Sequence, residues 1–125
     1  MLENIRICID IDGTICKLRQ EAENYKDLKP IDGAADKIKE LKKQGAYIIL
    51  CTARHMKSCD SNIGKVIAKQ GHTLIDWLFR FGFEYDELWF GKPYANLYID
   101  DKAFKFEGSW DSVNEELIKT YVNDC

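Results

Sequence analysis

No stretch of this chain is apolar for long enough to span a membrane, and Met1 leads almost directly into a strand with no signal-peptide pattern. The expectation is a cytoplasmic protein without a membrane partner. An excess of positive charge is also missing. Lys and Arg number 18 against 21 Asp and Glu, the formal net charge is -3, and no basic stripe appears, which argues against a nucleic-acid partner. A small anionic substrate stays open. Cysteine pairs at metal spacing are absent: Cys8, Cys16, Cys51, Cys59 and Cys125 are odd in number and contain no Cys-x-x-Cys, so reduced core thiols are expected rather than disulfides or zinc ligands. There is no internal repeat and no linker. At 125 residues, 46% hydrophobic and 31% charged, the chain is long enough for one cored domain over residues 1–125 and too short for two.

What is present is organised around Ile5 to Thr14, Ile-Arg-Ile-Cys-Ile-Asp-Ile-Asp-Gly-Thr. The β-branched apolar run suits a strand buried in a parallel sheet, and Gly13 ends it. Asp10 and Asp12 then stand at the carboxyl end of a strand, where ligands bind in open α/β sheets. Two carboxylates this close repel unless a cation lies between them or one keeps a proton. Asp12-Gly13 also reads as a plain turn. The polar residues that end other apolar runs favour a site: Thr52, Lys92 and Asp100-Asp101.

Residues 15–31 are too polar for a core element and too long for an idle turn, and are expected to form a flap over the strand end. Asp32 is expected to cap a helix bearing Ala34, Ile38 and Leu41, closed by Gly45. Ala46 to Cys51 reads as a second buried strand. A right-handed βαβ crossover makes it parallel to the first and brings Thr52 to the edge that carries Asp10. Asp60 or Ser61 is expected to cap a helix that stops at Gly71, and Thr73 to cap a second one ending near Phe81. Glu87 to Phe90 and Leu97 to Asp100 read as short strands, and Asp111 to Val122 as a closing helix. Gly91 to Asn96 is too short for a parallel crossover that includes a helix, so either the last two strands are antiparallel neighbours or an extended segment joins them, and the strand direction around residues 87–100 is left open. The fold class is α/β, a three-layer, Rossmann-like, mostly parallel sheet with helices on both faces. No insertion is long enough for a cap domain, and the aromatic residues between Trp77 and Trp89 leave a homo-oligomer open.

Four acids, a hydroxyl and an ammonium at one sheet edge suit phosphoryl chemistry with a hard cation, and oxygen-only ligands suit Mg2+. The motifs Asp10-Ile-Asp12-Gly13-Thr14, Thr52, Lys92 and Asp100-Asp101, in that order, resemble those of the haloacid dehalogenase superfamily. The stretch Gly-Lys-Pro-Tyr-Ala-Asn-Leu-Tyr-Ile-Asp-Asp is similar to a capless subgroup associated with capsular polysaccharide biosynthesis.

The resemblance implies a Mg2+-dependent phosphatase acting on a small phosphorylated substrate, with a sugar phosphate as the expectation. Asp10 would be the nucleophile that forms an aspartyl-phosphate, and Asp12 the acid and base. Thr52 and Lys92 would hold phosphoryl oxygens. Asp10, Asp100 and the backbone carbonyl of Asp12 would bind metal, with Asp101 as a further ligand through water or an orienting partner. Gly13, Thr14, Ala53, Arg54 and His55 would lie on the substrate side, Arg54 and His55 reaching a second anionic group or pairing locally. A phosphotransferase of the same fold, a non-catalytic binder of phosphorylated ligands and a receiver-like module are the alternatives. The last is disfavoured because the middle strand ends in Cys51-Thr52 with no acceptor Asp.

Overall fold

A computed structural model describes residues 1–122; Cys125 lies outside the described residues. The strand around which the chain is organised is β1, Arg6–Asp10. It is followed by the flap, whose only regular element is a 3-10 turn at Tyr25–Asp27. Then come α1 (Ala34–Lys43), β2 (Tyr47–Thr52), α2 (Ile63–Arg80), β3 (Glu87–Phe90) and α3 (Glu115–Val122). The sheet order is β1-β2-β3 and both pairings are parallel, with Asp10 opposite Cys51 and Thr52 opposite Phe90. That register sets Asp10, Thr52 and the start of the Lys92 loop at one edge. The α/β, Rossmann-like class holds.

One face of the sheet builds the core. Ile9, Ile48 and Leu50 pack with Ile38 and Leu41 of α1 and with Leu74, Trp77 and Leu78 of α2. Alternation in β2, where Ile48, Leu50 and Thr52 are buried and Tyr47, Ile49 and Cys51 half-buried, marks the opposite face as the open one. Cys8 and Trp89 are exposed there. Of the two helical layers expected, the described residues supply one over this sheet. The reason is topological: among the described residues no strand follows β3, so no crossover helix is carried over the second face.

Four local expectations are corrected. Gly33, at a left-handed φ of 81°, is the N-cap of α1 in place of Asp32, and no side chain caps that end. Asn62 caps α2 in place of Asp60 or Ser61, its side chain accepting the Lys65 N–H at 3.0 Å. The two helices expected around Gly71 are a single helix. Gly71 is buried within α2, where the packing of Leu74, Trp77 and Leu78 outweighs the cost of a mid-helix glycine, about 1 kcal/mol. Finally, Leu97 to Asp100 forms no strand; its apolar residues are exposed and unpaired. Six residues after β3 cannot carry a crossover helix to seat it in parallel.

The cysteines in the described residues are free, as expected of reduced thiols, yet only Cys16 is fully buried. Cys8 belongs to the open face, its Sγ 3.6 Å from that of Cys51. Hydrogen bonding with the Cys51 thiol lowers the Cys8 pKa to about 7.

Candidate active site

The loop after β1 is wound tightly around one carbonyl. Ile11 O accepts the N–H groups of Thr14, Ile15 and Cys16, and Gly13 N donates to Cys16 O at 2.7 Å. Gly13 takes a φ of 85° there, and a Cβ on it would stand 3.3 Å from the Leu18 side chain. Any other residue is strained at this turn. The N–H groups of Gly13 and Thr14 are therefore committed within the loop.

The flap is fastened at several points. Lys17 N donates to Lys29 O and Ile31 N to Ile15 O, which closes it at its base. The Trp77 indole N–H donates to Leu28 O at 2.8 Å and Arg80 to Lys26 O at 2.7 Å, tying its far limb to α2. From the other side the Trp110 indole N–H donates to Thr14 O at 2.8 Å.

Five of the residues singled out in the sequence meet at the strand ends. Lys92 Nζ lies 3.2 Å from Asp10 Oδ1. The lysine is placed there because its backbone N–H donates to Thr52 O at 3.1 Å as the chain leaves β3. Burial pushes the Asp10 carboxyl above its ordinary value, with Lys92 pulling the other way and Asp12 adding to the rise. Burial would lower Lys92, but Asp10 outweighs it and holds the ammonium above its usual value. The two shifts describe one partly desolvated pair whose lysine stays charged.

Asp12 has both oxygens engaged. Thr52 Oγ1 donates to Oδ2 at 2.9 Å, and Arg54 Nε donates to Oδ1 at 2.9 Å. Thr52 is fully buried, and its hydroxyl is directed to Asp12 rather than outward. Arg54 is 3% exposed, so its guanidinium pairs inside the protein and does not face the outside. His55 adopts a left-handed φ of 59° in the loop after Ala53. Its ring contacts Gln70 Nε2 at 3.1 Å and meets the Tyr25 ring edge-on. Burial, then Lys69 and Arg54, lowers its pKa.

Asp100 and Asp101 are not brought to this cluster. They sit in an exposed turn, where the Asp100 side chain accepts the Lys102 N–H at 2.8 Å. Tyr98 lies under the Lys92 ammonium, 4.3 Å from Nζ to the ring centre, and its hydroxyl donates to Pro93 O. Convergence of all four acids was the expectation; with Leu97 to Asp100 unpaired, the segment has nothing to carry it to β1. Among the described residues no group of three or more His, Cys, Asp or Glu can hold a metal ion. In this arrangement Asp10 and Asp12 alone do not make a divalent-cation site. Asp10 is neutralised by Lys92 and Asp12 by Arg54 instead.

Sequence reasoning missed Gln70 as a member of the site. Gln70 was legible only as a polar residue on the inward face of α2, beside Val66 and Leu74. Tyr25, the single aromatic of the flap, was legible as a residue that could reach the site, with no spacing to fix its place.

The model of the haloacid dehalogenase-like hydrolases matches residues 7–75, from within β1 through most of α2. A crystal structure of an MCSG target from Vibrio cholerae is similar at 27% identity, with a TM-score of 0.84 over 96% of this chain and 98% of that one. Comparison with curated proteins finds no match.

Proposed function

This chain belongs to the haloacid dehalogenase-like hydrolases, and from that premise we propose that it is a phosphohydrolase cleaving a phosphate monoester through an aspartyl-phosphate on Asp10. The observation that carries the reading is the Asp10–Lys92 pair at the carboxyl end of β1, beside an Asp12 held on both oxygens. A carboxylate with an ammonium at 3.2 Å can approach a phosphate dianion that a bare carboxylate would repel. An Asp10 oxygen attacks phosphorus in line as the ester oxygen departs. Asp12 enters this step protonated, gives that oxygen its proton, and regains one from the water that opens the acyl phosphate and restores Asp10. Lys92 offsets charge on the phosphoryl oxygens.

Mg2+ is the proposed cofactor, on the oxygen-only chemistry of Asp10, Asp12, Asp100 and Asp101. Holding it with Asp100 or Asp101 requires the exposed segment after Pro93 to come to β1. A sugar phosphate is the proposed substrate, on the resemblance of Gly91 to Asp101 to the capsular polysaccharide subgroup. The flap is the cover this reading gives the site, without a cap domain.

The test is hydrolysis of an aryl phosphate with and without Mg2+, beside Asp10→Asn. Turnover that needs both supports the reading. Turnover undiminished in Asp10→Asn removes the nucleophile. If neither protein turns over, acetyl phosphate should still label the wild type and spare the variant; no labelling moves the reading to a binding module.

A further inference from the structure

A buried guanidinium is costly unless it is fully paired, so where it points is informative. Each nitrogen of the Arg54 guanidinium has a partner. Nε donates to Asp12 Oδ1 at 2.9 Å, Nη1 to Gln70 Oε1 at 3.2 Å and Nη2 to the Cys16 sulfur at 3.5 Å. The Tyr25 ring lies 4.2 Å from its central carbon. Its own backbone N–H donates to Thr52 Oγ1 at 3.0 Å, and that hydroxyl donates to the second oxygen of Asp12. Arg54 therefore fixes one Asp12 oxygen directly and the other through Thr52, which sets the plane of the carboxylate. It is itself fixed by α2 through Gln70 and by the flap through Tyr25.

We infer that Arg54 is a positioning residue for Asp12, its planar fork aiming the carboxyl that protonates the leaving group, with Gln70 holding the fork in place. The inference rests on the acid role given to Asp12 in the preceding reading. A planar fork with several donors can do this and a lysine ammonium cannot, since a point charge fixes no plane. The loss should fall on the step that needs a proton.

The experiment compares kcat/KM for glycerol phosphate, whose alkoxide needs the proton, with p-nitrophenyl phosphate, whose leaving group departs almost without one. Asp12→Asn serves as the reference and is expected to lose about a hundredfold more on the alkyl ester than on the aryl ester. Arg54→Lys should show the same selective loss, about tenfold, with a single cooperative melting transition as the sign of an intact fold. Gln70→Met, which leaves Asp12 untouched, should show it more weakly. Equal losses on the two esters in Arg54→Lys, with Asp12→Asn selective, overturn the inference alone. If Asp12→Asn itself is unselective, the acid role falls and the inference with it. Should Arg54→Lys not fold, Gln70→Met decides: a selective loss upholds the inference, and an equal or absent loss overturns it.

Discussion

Ile9-Asp10 and Ile99-Asp100 are nearly the same local sequence, a β-branched apolar residue delivering a carboxylate, and their environments are opposite. Ile9 is 5% exposed and Ile99 is 92% exposed. The first lies in a strand paired along its length to β2, its side chain against α1 and α2. The second stands in an unpaired segment. Strand propensity is thus equal in the two places, and what differs is the partner. β1 and β2 are joined by a segment long enough to hold a helix, which covers the face it crosses. The connection out of β3 holds none. Asp10, Thr52 and the start of the Lys92 loop are consequently built into the edge of the sheet, while Asp100 and Asp101 stay apart from it.

Breaking that contrast begins with activity. Asp10→Asn should reduce turnover by about a thousandfold or more while the protein remains folded. Asp100→Asn should instead leave chemistry recoverable, raising the Mg2+ concentration for half-maximal activity by about tenfold or more. A titration of activity against Mg2+ in the two variants separates these. An unchanged Mg2+ requirement in Asp100→Asn would keep that residue out of the metal site and leave the contrast between the two segments intact in solution.

Stability sharpens the same contrast. Ile9→Ala removes a buried side chain from the core and should cost about 2–5 kcal/mol in urea unfolding. Ile99→Ala should stay within about 0.5 kcal/mol, as exposed positions do. A loss at Ile99 comparable to that at Ile9 would mean the segment packs against the sheet after all.

These two places also explain what the sequence could tell. Ile5 to Ile11, Ala46 to Cys51 and Glu87 to Phe90 were legible as strands because each is largely apolar and bounded by turn residues; the crossover rule made the first two parallel, whereas the direction of Glu87 to Phe90 was not legible. From that, Asp10 and Thr52 followed to one edge. Leu97 to Asp100 carries the same local signal and forms no strand, because pairing is a property of topology and not of the window. The continuity of α2 through Gly71 was hidden for a related reason, since its buried face offsets what propensity alone would break. Thr52 and Arg54 were placed correctly at the strand end, but their direction was not legible. Whether a guanidinium turns to substrate or to Asp12 depends on Gln70 and Tyr25, which are distant in sequence. The caps at Gly33 and Asn62 were missed by one or two residues, where several adjacent polar residues compete for the same role.

The smallest expected effect concerns the tie that seats β3. Asp86 lies just before that strand, and its carboxylate accepts from Lys42 Nζ at 2.6 Å and from the Ile48 N–H at 2.8 Å. The Lys42 hydrogen bond, followed by that of Ile48, holds the carboxyl below its ordinary value. A depressed carboxyl contributes stability above its unfolded pKa, and that contribution is lost as pH falls through the folded value. Asp86→Asn keeps an acceptor for Ile48 but not the charge. It should lower stability at neutral pH by less than about 1 kcal/mol, the two carboxylate oxygens being only partly shielded from solvent. The gap in melting temperature from wild type should close as pH is lowered below about 4. A gap that persists in acid would show that the charge is not what matters there. No gap at neutral pH would leave the register of β3 to its apolar pairing, Leu50 opposite Leu88, and would make the lack of an apolar partner enough to explain why Leu97 to Asp100 is left out of the sheet.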